Sequence, residues 1–392
     1  MAIDTRKTKQ LAEILHHIGN ELDIPEGVYA TARQKYLVLA EWLKADHQNR
    51  FSSNAEIYHQ GSFRLGTAIR PVKKDDKYDV DLVYRRNIKK DSTSQDKLKA
   101  ELGEQLERYI MHLHDCGESI PQLVPRRRCW TLDYKGQFHM DVLPAIPDDE
   151  ADQYNLRDFA DGIKIPDRKL HEWQHSNPKG YAGWFNDLQK ALLLERREMM
   201  AKAAEIDVEK IPVERVHTPL RRVVQILKRH RDICYQENPG DKPISIIITT
   251  LAGKAYNGEV DIYEALMAVT SKMRDKIHQK DGEWWVPNPI NPKENFADKW
   301  KKTEEPQRAD RFFEWLKKVE ADFTSAGTRT GIDRIVEIFS SAFGSDLVKR
   351  ATEKYGRVMD SRQQKGELWM AAKTGVLGAA GTIVRKNTWY GA

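Results

Sequence analysis

Two acids separated by one apolar residue, in Tyr78-Asp79-Val80-Asp81-Leu82-Val83, constrain this chain more than any other feature. A strand's period of two places Asp79 and Asp81 on one face and turns Val80 and Leu82 to the other. Adjacent carboxylates on a rigid strand repel each other, and a hard divalent cation offsets that cost. Upstream stands Gln60-Gly61-Ser62-Phe63-Arg64-Leu65-Gly66-Thr67, where Gly61 permits close backbone approach to a phosphate and Ser62 adds a hydroxyl donor. A third acid follows in Gln137-Phe138-His139-Met140-Asp141-Val142-Leu143, whose alternation aligns Asp141 with His139 and sends Phe138, Met140 and Val142 the opposite way.

Three carboxylates of this kind suit two Mg²⁺ ions, with Mn²⁺ as a substitute, at a separation of roughly 3.5 to 4 Å. Such a pair holds a triphosphate, activates an attacking hydroxyl and neutralises departing pyrophosphate. A lone Asp-x-Asp strand is commonplace; the preceding Gly-Ser and the later single Asp are what make this one point to nucleotidyl transfer. Asp75 and Asp76 sit in a Lys-rich turn and read as solvated.

The chain has 392 residues, more than one typical domain, and its 40% hydrophobic content supports a substantial core. Lys plus Arg number 64 against 59 acids, a net +5 that announces neither a nucleic-acid coat nor nucleic-acid activation. Three separated cysteines, Cys116, Cys129 and Cys234, argue against a zinc module and a disulfide framework, so a reducing, cytoplasmic setting is expected. A mean hydropathy of −0.69 excludes a polytopic membrane protein, and the apolar run from Gly375 to Val384 is too short to span a bilayer.

The pattern predicts helices over Thr5 to Leu22, about Val28 to His47 and about Asp96 to His114. Strands are expected to carry the Gly-Ser and double-Asp motifs and to cover Leu123 to Tyr134 and Gly136 to Leu143. After Pro144-Ala145-Ile146-Pro147 a charged, Trp-containing stretch leads into a mostly helical half. Its clearest helix starts at Thr218-Pro219, a cap followed by a first-turn proline, with Leu220, Val223, Val224 and Leu227 at i, i+3, i+4 and i+7. Trp284-Trp285 reads as core, Asn291-Pro292 as the cap and first turn of a helix, Arg126-Arg127-Arg128 as a charged strand edge or an acceptor surface, and His139 as packing near the metals.

The Gly-Ser, Asp-x-Asp and later Asp resemble the polymerase-beta-like nucleotidyltransferases. The string Gly61 to Pro71 is similar to the bacterial relatives of cyclic GMP-AMP synthase and oligoadenylate synthetase, the CD-NTases of CBASS anti-phage defence. Val286 to Trp300 resembles the Asn-Pro-rich segment of their helical lobe. The resemblance implies an α+β fold, a nucleotidyltransferase palm joined to an oligoadenylate-synthetase-like helical lobe. It divides into N-terminal helices bracing both lobes (1–50), palm (51–150), helical lobe (151–370) and a flexible tail (371–392).

It further implies that Asp79, Asp81 and Asp141 are catalytic and metal-binding, and that Gln60, Gly61, Ser62, Lys228 and Ser245 hold the nucleotide. The product would be a cyclic di- or trinucleotide containing adenine, made from NTPs with ATP first among them. That product would act on a downstream effector, and a ubiquitin-transfer-like ligase would act on the C-terminus at Ala392. The competing readings are a linear oligoadenylate or RNA-end transferase, which would want a basic stripe, and a non-catalytic nucleotide-binding scaffold, which would have lost a carboxylate.

Overall fold

A computed structural model describes residues 5–45, 55–73, 75–149, 161–167, 172–301, 307–371, 376–378 and 381–385. Two helices lead: α1 (Thr5–Leu22), with the predicted bounds, and α2 (Glu26–Ala45). Then come β1 (Glu56–His59), α3 (Gly61–Leu65), β2 (Tyr78–Arg85), α4 (Gln95–Asp115), β3 (Gln122–Pro125), β4 (Trp130–Tyr134) and β5 (Phe138–Pro147). These strands form one mixed sheet in the order β1-β2-β5-β4-β3, extended from β5 by β6 (Ile163–Ile165) and β7 (Gln174–Ser176). Only β2 and β5 run parallel among the five, because α4, β3 and β4 return the chain before β5 enters beside β2.

The alternation read from the sequence decides which face is buried. Val80, Leu82 and Tyr84 of β2, Leu132 and Tyr134 of β4, and Phe138, Met140 and Val142 of β5 pack against Leu102, Leu106 and Tyr109 of α4 and Leu39 and Leu43 of α2. The opposite face carries Asp79, Asp81, Thr131, His139 and Asp141. Gly103 permits α4 to lie close on the sheet, since a Cβ there would stand 2.5 Å from the Trp130 ring.

The rest of the chain is mainly helical: α5 (Pro178–Asp187), α6 (Lys190–Ala204), α7 (Pro219–Cys234), α8 (Ser245–Ala255), α9 (Ile262–Lys272), α10 (Arg308–Thr328), α11 (Ile332–Phe343) and α12 (Ser345–Gln364). Leu11, Ile14, Leu15, Ile18 and Leu22 give α1 an apolar stripe, and it buries this stripe in the helical core with α7, α9 and α12 rather than on the sheet. The first helix therefore belongs to one core and the second to the other.

Several expectations are corrected. The Gly-Ser motif opens the short helix α3 and does not lie on a strand, because Gly61 (φ +61°) and Gly66 (φ +65°) bracket Ser62 to Leu65 with left-handed backbone. Asn291-Pro292 begins no helix; Asn288 and Asn295 bond to backbone and to Glu294 and hold Val286 to Ala297 as a loop. Trp284 and Trp285 stand half-buried in a hairpin of β8 (His278–Lys280) and β9 (Glu283–Trp285); Trp284 packs on the helical core as expected, edge-on to Phe313 with ring centres 4.8 Å apart, and Trp285 is not part of that core. Arg126, Arg127 and Arg128 occupy the turn between β3 and β4, not a strand. The described part of the tail is also not a free tether: Trp369–Met370, Leu377–Gly378 and Thr382–Ile383 pair as a small sheet, with Leu377 and Val384 packed on the helical core. Ala392 lies outside the described residues. No helix among the described residues is long and apolar enough to cross a membrane.

Candidate active site

Parallel pairing of β2 with β5 sets Asp81 opposite Asp141 and Asp79 opposite His139, so residues sixty apart in sequence share one patch of sheet. At the end of β1 the chain turns over this patch. The Gln60 N–H donates to the Asp81 carbonyl at 2.7 Å, and a Cβ on Gly61 would stand 2.4 Å from Asp81 Oδ2. The backbone of the Gly-Ser turn thus rests directly on the second carboxylate, and only glycine fits there. Gln60 acts in this structure through its backbone.

Burial pushes the Asp81 carboxyl up to about 7, and the Asp141 and Asp79 charges add to the rise. Asp79 is raised as well, by burial first, with Asp141 adding to it while His139, Lys242 and Lys228 oppose it. These are carboxylates held together against their own repulsion. Among the described residues no three acidic, His or Cys side chains converge into a ready-made cage. Magnesium does not ask for one: it binds through one or two carboxylates and completes its shell with water and substrate phosphate oxygens. The hard oxygen donors of Asp79, Asp81 and Asp141 fit such an ion, and their mutual repulsion is what it would relieve.

Asp141 is held from β4. The Thr131 hydroxyl donates to Asp141 Oδ1 at 2.5 Å while accepting from Arg126 Nε at 3.3 Å, so one oxygen of the carboxylate is fixed by the protein. Sequence reasoning passed over Thr131. The alternation of Trp130-Thr131-Leu132-Asp133 placed it on the acidic face, but the register that sets it opposite Asp141 is a long-range property. Thr131→Val is expected to lower activity by roughly tenfold to a hundredfold and to raise the Mg²⁺ concentration needed for half-maximal rate, with Thr131→Ser restoring most of both. A magnesium titration of all three proteins measures this.

The second lobe delivers the cations through α7. Its polar stripe faces the segment after α3: Gln225 donates to the Ala68 carbonyl at 2.9 Å, Lys228 Nζ to the Thr67 carbonyl at 2.8 Å, and Arg229 to the Arg70 carbonyl. Arg222 ties the same helix to the end of α1 through Gly19 and Asp23. Burial draws the Lys228 ammonium down to about 7, aided by the Arg231 charge and opposed by Asp232, Asp81 and Asp79. Arg231, one turn on, donates to Ser245 Oγ at 2.8 Å and to the Pro243 carbonyl at 3.0 Å, which joins the two positions expected to meet a triphosphate.

Two cavities open on this arrangement. One, of about 880 Å³, is lined by Ser62, Asp79, His139, Lys228, Arg231, Lys242 and Ser245, with the exposed Asp75 and Asp76 at its rim. The other, of about 460 Å³, is lined by Asp79, Thr131, His139, Asp141, Arg126 to Arg128 and Lys299. They meet at Asp79 and His139. Asp81 and Gly61 line neither and lie behind the junction. His139 Nδ1 stands 3.7 Å from Asp133 Oδ1, beside the acids.

Residues 11–188 match the Second Messenger Oligonucleotide or Dinucleotide Synthetase domain. Over its whole length the chain is 28% identical to the whole of a c-di-GMP synthase from Roseivirga ehrenbergii. It is 24% identical to the cyclic dinucleotide synthase CdnG of Bradyrhizobium diazoefficiens, over 95% of this chain and 92% of that one. The structure of that CdnG in complex with GTP shares its fold, at TM-score 0.66 and 20% identity over 88% of this chain and 99% of the other. The fold of CdnC from Escherichia coli matches at TM-score 0.60 and 16% identity, over 86% and 98%. Residues 11–188 therefore match the domain of second-messenger nucleotide synthetases, and along its whole length the chain is similar in sequence to cyclic dinucleotide synthases and shares the fold of the CD-NTases.

Proposed function

We propose that this protein joins two nucleoside triphosphates into a cyclic dinucleotide, with guanine in preference to adenine, as a signal in anti-phage defence. The observation that carries the reading is the parallel register that puts Asp141 beside Asp81 under the Gly61-Ser62 turn, at the junction of two cavities. Two nucleotides need two sites that meet at the acids. Guanine is supported by the relatives more similar in sequence, one named a c-di-GMP synthase and another described with GTP, whereas the adenine expected from the resemblance has only CdnC, at 16% identity, described with ATP.

In this reading the donor triphosphate lies in the larger cavity, where Ser62, Ser245, Lys228 and Arg231 face its β- and γ-phosphates. Buried cations at fixed positions stabilise developing pyrophosphate charge better than water does. The acceptor enters the smaller cavity and brings its ribose hydroxyl to Asp141, whose Oδ1 is already engaged by Thr131. Two Mg²⁺ ions on Asp79, Asp81 and Asp141 would lower the hydroxyl's pKa and offset charge on the phosphates. The hydroxyl gives up its proton to solvent, its oxygen forms a bond to the donor α-phosphorus, the bond from that phosphorus to the bridging oxygen breaks, and pyrophosphate leaves. The linear intermediate repeats this with roles exchanged, releasing a second pyrophosphate and closing the ring. A downstream effector would read the cyclic product; the ligase expected at Ala392 rests on the sequence alone.

Incubation with GTP, ATP, CTP and UTP, singly and in combination, followed by phosphatase and mass analysis, tests the proposal. A product with the mass of cyclic di-GMP that survives phosphatase supports it. A linear product shortened by phosphatase would favour the oligoadenylate-like reading, and nucleotide binding without turnover the scaffold.

A further inference from the structure

The run Arg126-Arg127-Arg128 gathers three positive charges in one tight turn, an arrangement that is costly unless something anionic is nearby. Part of that anion is internal. Arg127 Nε donates to one oxygen of Asp167 at 2.6 Å and Arg128 Nε to the other at 2.7 Å, and the Asp167 side chain is fully buried. The Asp167 N–H in turn donates to Gln95 Oε1 at 2.7 Å, which fixes the post. Both guanidiniums are therefore oriented through Nε, and their side chains stay 39% and 45% exposed at the mouth of the 460 Å³ cavity. Asp167 is the carboxylate bonded to both guanidiniums, and the Arg128 charge is also felt by the largely buried Glu294. Arg126 and Lys299, from the other lobe, add to the excess on the same cavity wall.

Pre-oriented guanidinium forks on a cavity of nucleotide size are suited to phosphate groups carrying more than one charge. The cavity's inner end is Asp141 and Asp79, so a nucleotide presenting its ribose hydroxyl there extends its 5′ end along this wall. Resting on the cyclic-dinucleotide reading above, we propose that Arg127, Arg128 and Lys299 bind the 5′-triphosphate of the acceptor nucleotide and thereby select a triphosphate over a monophosphate as acceptor. The chemistry gives that selection a purpose. The second bond of the ring needs a leaving pyrophosphate on the acceptor's own 5′ end. An acceptor carrying a single phosphate yields a linear dinucleotide that has none and stays open.

The test offers the full-length protein GTP and GMP at equal concentration and compares, by mass, the linear dinucleotide ending in a 5′-monophosphate with the cyclic product. Arg127→Gln and Arg128→Gln each leave Asp167 one arginine partner, and Lys299→Glu touches no bond of that post, so the fold is retained in at least the last. In wild type the cyclic product dominates. A rise of tenfold or more in the ratio of open monophosphate-ended product to ring in these variants is the expected result. A ratio within twofold of wild type in every folded variant overturns the clamp while leaving the parent reading intact. If the wild-type protein makes no dinucleotide at all, the parent reading fails and the clamp fails with it.

Discussion

Replacing Asp79 and Asp81 together with asparagine is expected to leave a folded protein whose rate of product formation falls by at least about a thousandfold. The size follows from what the two carboxylates do. Metal-mediated charge stabilisation supplies several kcal/mol to a phosphoryl transfer, and each 1.36 kcal/mol is a factor of about ten in rate. Asparagine keeps the shape of both side chains, so Val80 and Leu82 remain in the core beneath and the Gly61 turn keeps its support. Removing two charges that repel each other is not expected to unfold the protein; in the absence of metal the variant should melt at or above the wild-type temperature near pH 8, where Asp81 is ionised in the wild type. Product analysis and a thermal melt of the same sample check both halves. Retained turnover would remove the acids from the chemistry.

Donor binding is expected to take up a proton, and its affinity to fall as pH rises above about 7. Burial holds Lys228 at about 7, well under an ordinary lysine, so between that value and about 10.5 the free protein binds fewer protons than the unfolded chain does. A triphosphate favours the charged ammonium. At pH 8 binding must therefore protonate Lys228, with uptake approaching one proton, and affinity drops by up to about tenfold per pH unit from there until the bound-state pKa is passed. Metal binding at Asp81 carries the opposite sign, since its raised carboxyl must release a proton. The comparison is made at saturating Mg²⁺ between wild type and Lys228→Gln. Calorimetry in buffers of different ionisation enthalpy should show uptake that the variant lacks, together with a flatter pH profile. Equal uptake in both proteins would assign the proton to another group.

The palm was legible because strand alternation is a local signal: Asp79 could be aligned with Asp81, and His139 with Asp141, each pair on one side of its own strand, and burial of Val80, Leu82, Phe138, Met140 and Val142 bears that out. The bounds of α1 followed from its apolar period and from Pro25 and Gly27 behind it. Local pattern carries no register. Thr131 is one threonine among many until β4 pairs with β5, and Arg127 and Arg128 are a charge run until Asp167 arrives from forty residues away. The same limit explains Asn291-Pro292, where a helix-start dipeptide was outcompeted by Asn288 and Asn295 side chains bonding inside their own loop. Glycines mark a turn without naming its hand, which is why the Gly-Ser motif was expected on a strand and is found opening α3.

The claim on which the account stands is that Asp79, Asp81 and Asp141 jointly hold divalent ions beside the Gly61-Ser62 turn. A crystal grown with Mn²⁺ and a non-reactive GTP analogue, measured at the manganese edge, tests it directly. The account predicts anomalous density between the three carboxylates, with the triphosphate reaching toward Ser62 and Lys228. Manganese bound elsewhere, with these acids free of it, would contradict the account.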